Sequence, residues 1–194
     1  MRPSKREEIV EKALEIFRAE GFRAAGMDAL AARIGVSKTS IYNNFPGKDG
    51  LILAALDLQE ARMEALLDAH EARTEGPRER LLSVFDALAE WFASPGFAGC
   101  AFQRAAAEFQ APGHPVREMA AARKRALAAR FAALARAARA EAAGPAISML
   151  VEGAIVAAAI GLAPDPAGEA KRAAAALVDA VQARGSSRST SESQ

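Results

Sequence analysis

Apolar residues recur along this chain at intervals of three and four, the spacing that lines one face of an α-helix. The first such run holds Val10, Ala13, Leu14 and Phe17. Ser4 and Glu7 ahead of it make a capping box, in which the hydroxyl accepts from a backbone N–H three residues on and the carboxylate reaches back. Gly21 offers a left-handed stop. Two short helices are predicted next, about Met27 to Ile34 and Lys38 to Phe45, with Gly35-Val36-Ser37 between them. Each is too short to be stable alone. A long helix follows from about Asp49 to Arg73 and ends before Gly76-Pro77. Pro77 suits the first turn of a helix that runs through Leu81, Leu82, Phe85 and Leu88 to Phe92, where Ser94-Pro95-Gly96 stops it. Four more helices are punctuated by proline and glycine, about Cys100 to Gln110, Val116 to Ala143, Ala146 to Leu162 and Pro166 to Ala183. The pattern predicts an all-α protein of about nine helices. From Gly185 the tail GSSRSTSESQ is polar and low in complexity, so disorder is expected for 185–194.

Composition strengthens the helical reading. Of the 194 residues 50 are alanine, against one Tyr and one Trp, which disfavours strand-rich folds because alanine is the best helix former and a poor strand residue. About half the chain is apolar, which excludes disorder as a whole. A single cysteine, Cys100, cannot form an intramolecular disulfide, and the start MRPSKREE lacks the apolar core of a signal peptide. A cytoplasmic location is expected. The segment Pro145 to Ala163 approaches the length of a membrane span, but Glu152 sits near its middle and basic flanking residues are missing on the near side. A buried helix is the expectation there, and no membrane partner.

Residues 27 to 48 carry candidate chemistry. A helix-turn-helix needs a small residue midway along its first helix, a glycine in the turn and an apolar anchor in the second helix. Ala31, Gly35 and Ile41 stand at those places, with Leu30, Ile34, Val36 and Phe45 as further apolar contacts. Ser37 is a natural N-cap whose hydroxyl can also face a phosphate. Lys38, Thr39, Tyr42 and Asn43 fall on the face opposite Ile41 and Phe45, where packing does not need them. Side chains of these types contact phosphates and base edges, and a helix fits the major groove of B-DNA. Lys48, at the start of the long helix, is placed to neutralise a phosphate.

The segment MDALAARIGVSKTSIYNNFPGKDGL resembles the DNA-binding signature of the TetR family of bacterial transcriptional regulators, with Gly35-Val36-Ser37, Ile41-Tyr42, Phe45 and Lys48 as the most specific positions. The likeness covers roughly residues 5 to 56. It implies a three-helix DNA-binding head over 1–48 and a body over 49–184 that dimerises through its last two helices and holds an effector pocket. It also implies that Lys38, Thr39 and Ser40 start the recognition helix, and that Tyr42 and Lys48 contact phosphates. Departures lie at Ala25-Gly26, where threonines are common, at Thr39, where glycine is frequent, and at Asn44, where histidine is. The DNA-contact set is thus Ser37, Lys38, Thr39, Ser40, Tyr42, Asn43, Asn44 and Lys48.

The formal charge of +1 shows no global excess of positive charge and by itself speaks neither for a nucleic-acid binder nor for a polybasic membrane protein. Divided at Gly50, the chain has nine basic and seven acidic residues before and sixteen and seventeen after, so the head is +2 and the body −1. A few placed residues, doubled by symmetry, matter more than the sum.

Residues 146 to 183 hold two helices of small residues, with Ala157-Ala158-Ala159, Gly161 and Ala173 to Ala176 among Ile147, Leu150, Ile155, Leu177 and Val181. A nearly all-apolar helix must be covered, and a four-helix interface with a second copy is expected, with burial inside one chain as the alternative. Between the long helix and these lies an aromatic-rich stretch with a few polar groups, the composition of a small-molecule site. Its segment GFAGCAFQRAAAEF, followed by GHPVREMA, resembles the effector domain of one subgroup of the family. Trp91, Phe92, Cys100, Phe102, Gln103, Arg104, Glu108, His114 and Glu152 are the candidate effector residues, and the effector is expected to be apolar or amphipathic. With two histidines, one cysteine, no glycine-rich phosphate loop and no HExxH pair, neither an enzyme, a metal site nor a cofactor is expected. The expected function is a dimeric repressor that binds a palindromic operator and is released by a small molecule. The alternatives are a redox-responsive regulator acting through Cys100, and a helical interaction protein that has lost operator binding.

Overall fold

The computed structural model describes residues 3–24 and 26–191, and among them nine α-helices, one 3-10 turn and no strand. In chain order these are α1 (Lys5–Glu20), α2 (Met27–Ile34), α3 (Lys38–Tyr42), α4 (Gly47–Ala72), α5 (Pro77–Phe92), α6 (Ala101–Glu108), α7 (Pro115–Ala137), the 3-10 turn Glu141–Ala143, α8 (Gly144–Ala159) and α9 (Pro166–Ser191). The capping box forms as the sequence predicts: Glu7 N–H donates to Ser4 Oγ at 3.2 Å and Ser4 N–H to Glu7 Oε2 at 2.6 Å.

Several boundaries differ from the sequence expectation, among them both ends of α8 and the ends of α3, α7 and α9. Helix α3 ends at Tyr42 rather than Phe45, although Phe45 N–H still bonds Ile41 O at 2.9 Å. Helix α7 ends at Ala137, before the Gly144-Pro145 break. Arg139 there takes φ 54°, and Ala140 N–H closes back on Ala135 O at 2.8 Å. An arginine thus fills the left-handed stop usually given to glycine, so no breaker marks it in the sequence. Helix α9 continues to Ser191, where disorder was expected from Gly185 onward, and residues 192–194 of that tail lie outside the described residues. Ala25 lies outside them as well.

The helices form two compact units, Met1–Glu64 with Cys100–Lys124, and Ala65–Gly99 with Arg125–Gln194. The chain passes between the units inside α4 and inside α7, whereas the sequence reading placed a boundary at residue 48. In the first unit the core is Ile9, Leu14 and Phe17 of α1, Leu30 and Ile34 of α2, Ile41 of α3, Leu51, Ile52 and Leu56 of α4, and Phe102, Phe109 and Val116. Removing a side chain such as Ile41, fully buried here, from a core of this kind costs about 2 to 5 kcal/mol.

In the second unit α9 packs against both α8 and α5. Alanines at 154, 167, 170 and 174 are buried among Leu81, Phe85, Leu88, Ile147, Val151, Ile155 and Val178, and their short side chains allow the helices to approach closely. The run Glu141–Ala159 is long and apolar enough to cross a membrane, and most of its apolar stretch is not fully buried. Of the expected covering of this helix, burial inside one chain is incomplete. Met149 is 74% exposed, and Val156, Ile160 and Leu162 are exposed with Leu177 of α9. Met149, Leu150, Gly153, Ala157, Ala173 and Leu177 line an open apolar groove on α8 and α9.

Candidate nucleic-acid interface

Helix α2 stops at Gly35, whose φ of 82° is the left-handed turn that favours glycine, and Gly35 and Val36 N–H both bond Ala31 O at 3.0 Å. Lys12 of α1 adds a donor from its Nζ to Ile34 O at 2.8 Å, covering the end of α2. Ser37 then caps α3, its Oγ accepting from Ser40 N–H at 3.1 Å. Ala31, Ile34, Ile41 and Phe45 are buried in the core shared with α1, so the remaining face of α3 is directed outward. Ser37, Lys38, Thr39, Tyr42 and Asn43 are exposed or half-exposed there, and Ser40 and Asn44 are half-buried. Tyr42 keeps half of its surface in solvent, which is unusual for an aromatic ring and suits a groove or phosphate contact. Asn44 is engaged within the chain, where its Nδ2 donates to Ser40 O at 2.8 Å and closes the turn after α3.

The structure adds a residue that sequence reading missed. Lys38 Nζ lies 2.9 Å from Asp28 Oδ1, on the exposed edge of α2, and the hydrogen bond to Asp28 raises the lysine pKa. An exposed pair of this kind adds little to stability. Its effect would fall on DNA: a phosphate approaching Lys38 would have to displace the carboxylate and would be repelled by it. Asp28→Asn is expected to tighten binding to any duplex about two- to tenfold at low salt, as read by anisotropy titration. Unchanged affinity would place Asp28 beyond the reach of the phosphates.

Lys48, in the first turn of α4, is half-buried, and its Nζ donates to Arg23 O at 3.1 Å. Burial lowers its pKa, opposed by the charges of Glu108 and Asp49. The turn that contains Arg23 is held from the other side by α6. Glu108 Oε2 accepts from Phe22 N–H at 2.9 Å and from Arg23 N–H at 2.8 Å, while Arg104 Nη1 donates to Phe17 O at 3.2 Å and Arg18 O at 2.7 Å. These contacts span more than 80 residues of sequence, and no local pattern signals them.

The candidate effector residues divide between the two units. In the first, Phe102 is core, Cys100 packs beside that core, and Gln103 is half-exposed on α6. His114 lies against Phe109 with ring centroids 4.6 Å apart and has its Nε2 3.4 Å from Asp49 Oδ2. In the second, Trp91 and Phe92 join Phe97 in a half-buried cluster with centroids 5.0 to 5.7 Å apart, and Glu152 is half-exposed on α8. Among the described residues no group of three His, Cys, Asp or Glu side chains could hold a metal ion.

Comparison with known proteins bears on this geometry. The profile of bacterial regulatory proteins of the tetR family matches residues 9–55, which take in most of α1, all of α2 and α3, and the start of α4. A TetR-family transcriptional regulator from Streptomyces coelicolor superposes with a TM-score of 0.79 at 30% identity, over 91% of this chain and 93% of that one. The chain belongs to the TetR family. It therefore carries the helix-turn-helix DNA-binding domain of that family of transcriptional regulators.

Among curated relatives, the HTH-type transcriptional regulator YjdC of Escherichia coli is 24% identical over 120 residues, 59% of this chain and 61% of its own. The HTH-type transcriptional activator FasR of Mycolicibacterium smegmatis is 33% identical over 87 residues, 45% of this chain and 40% of its own. The chain thus spans less than two thirds of the length of these curated relatives. Within the TetR architecture α3 stands as the second helix of the helix-turn-helix, and Asp28 and the Glu108 contacts are features of this chain's own side chains.

Proposed function

We propose that this chain is a homodimeric, cytoplasmic repressor that binds a palindromic operator through α3 and leaves it when a small apolar or amphipathic effector enters the body. The observation that carries the DNA reading is the two-faced α3: Ile41 is buried, while Lys38, Thr39, Tyr42 and Asn43 are presented to solvent from a capped helix start. Ser37, Ser40 and Lys48 complete the proposed contacts, and Asn44 supports them by closing the turn. One recognition helix of this length touches few base pairs, so a second head about one helical turn away supplies the remaining affinity. The exposed apolar face of α8 and α9 supports dimerisation, because Met149, Ile160, Leu162 and Leu177 in one chain are left in water and a symmetry mate would cover them.

The functional division into a head over 1–48 and a body from 49 belongs to this reading. So does an effector whose apolar part meets Trp91 and Phe92. Effector binding would favour the state in which the two recognition helices no longer match the spacing of the half-sites, with α4 as the moving link. Selection of bound duplexes from a random library tests the proposal, and the selected duplex then serves to screen for compounds that release it. Enrichment of a palindrome is the expected result. Enrichment of nothing at low salt would make the chain an interaction protein rather than a repressor.

A further inference from the structure

Glu108 occupies the last position of α6, where the helix dipole disfavours a carboxylate. Its carboxylate accepts three backbone donations: Phe22 N–H to Oε1 at 3.2 Å and to Oε2 at 2.9 Å, and Arg23 N–H to Oε2 at 2.8 Å. Those two N–H groups follow the end of α1 and precede α2, in a turn that leaves them outside either helix. Arg104, four residues earlier and so on the same side of α6, meets the carbonyls of Phe17 and Arg18. The two side chains therefore pair with both kinds of group at the end of α1, the cation with the carbonyls of Phe17, which also accepts from Gly21 N–H, and Arg18, and the anion with the amides beyond them.

The fit is close. A Cβ at Gly21 would stand 2.7 Å from Glu108 Oε1, so glycine serves here as the space for the carboxylate as well as for a φ of 91°. Phe22 and Phe109 flank the contact with ring centroids 6.4 Å apart, and the Arg23 guanidinium lies over the Phe109 ring at 5.0 Å. Arg23 is then held on both sides, since its N–H goes to Glu108 and its carbonyl receives Lys48 Nζ at 3.1 Å.

We propose that Glu108, assisted by Arg104, is a positioning residue for DNA binding: by pinning the turn between α1 and α2 it sets the height at which Lys48 meets a phosphate. The proposal rests on the reading of Lys48 as a phosphate contact. It needs no contact between Glu108 and DNA. A merely structural role for Glu108 would lower stability without a specific link to Lys48.

The experiment uses the full chain, with Glu108→Ala, Glu108→Gln, Lys48→Ala and the double variant Glu108→Ala/Lys48→Ala. Amide hydrogen exchange is followed at Phe22 and Arg23, and affinity for a mixed-sequence duplex is titrated across a salt series. Glu108→Ala is expected to speed exchange at the two amides at least tenfold, roughly, and to weaken binding about tenfold, with the amide of Leu14 in the core of α1 unchanged. Glu108→Gln, which keeps an acceptor oxygen and carries the test should the alanine variant not fold, is expected to lie between on both readouts. In the Lys48→Ala background, Glu108→Ala should add no more than about a twofold loss.

Losses that multiply in the double variant would overturn the proposal, and so would faster exchange with undiminished affinity. If Lys48→Ala alone changed neither affinity nor salt slope, the phosphate reading of Lys48 would fail and the proposal with it. Faster exchange in Glu108→Ala would then show that the clamp itself exists.

Discussion

Met149→Glu is expected to leave the chain folded but monomeric at micromolar concentration, and to lower its affinity for the selected duplex by about a thousandfold. Met149 is 74% exposed in the single chain, so the substitution removes nothing from the core formed by Ile147, Val151 and Ile155 on the other side of α8. In a twofold dimer the change occurs twice. Each carboxylate would enter an apolar contact lined by Leu150, Gly153, Ala157, Ala173 and Leu177, where nothing on those side chains can pair with it. Affinity falls because a second head tethered to the first binds at high effective concentration, and that advantage is lost in the monomer. Sedimentation velocity reads the assembly and anisotropy titration the binding. A dimer that survives the substitution would put the interface elsewhere, and a monomer that binds as tightly would end the two-half-site reading.

Replacing Tyr42 and Lys48 together by alanine is expected to weaken binding to every duplex about a hundredfold at low salt, with no change in preference among sequences. The two residues act in separable ways. Lys48 carries a charge that displaces a counterion from DNA, so its loss should reduce the slope of log affinity against log salt by about two per dimer. Tyr42 is neutral and offers a hydroxyl, so its single replacement should lower affinity at a constant slope. Half of the Tyr42 surface is already in solvent and the residue stands outside the core, so melting should be nearly unchanged for Tyr42→Ala. A double variant whose salt slope equals that of the parent would remove Lys48 from the phosphate contacts.

Much of the exposed face of α3 could be read from 27 to 48 because its determinants are neighbours. The glycine in the turn, the serine cap and the alternation of Ile41 and Phe45 with Lys38, Thr39, Tyr42 and Asn43 all act within one or two helical turns. The same reading assigned Arg104, Glu108 and His114 to an effector pocket on the ground that polar groups in an apolar stretch serve a ligand. In the structure Arg104 and Glu108 bond the backbone at the end of α1, and His114 meets Phe109 and Asp49. Polarity in an apolar stretch is required by any buried helix end, and the sequence does not distinguish that need from a ligand's. Arg139 shows the converse limit, since a left-handed stop made by an arginine leaves no breaker to read.

The sequence by itself determined the all-helical class, the number of helices, the helix-turn-helix and the face of α3 that is left exposed. Alanine content, three-and-four periodicity and capping residues act locally, and local energies suffice to place helices. Only the tertiary structure decided which apolar residues of α8 stay outside the single chain, that Asp28 holds Lys38, and that Glu108 and Arg104 close the end of α1. Those outcomes depend on which helix comes to lie against which, and a pairing across more than 80 residues is set by the packing of whole helix faces rather than by any segment's own preference.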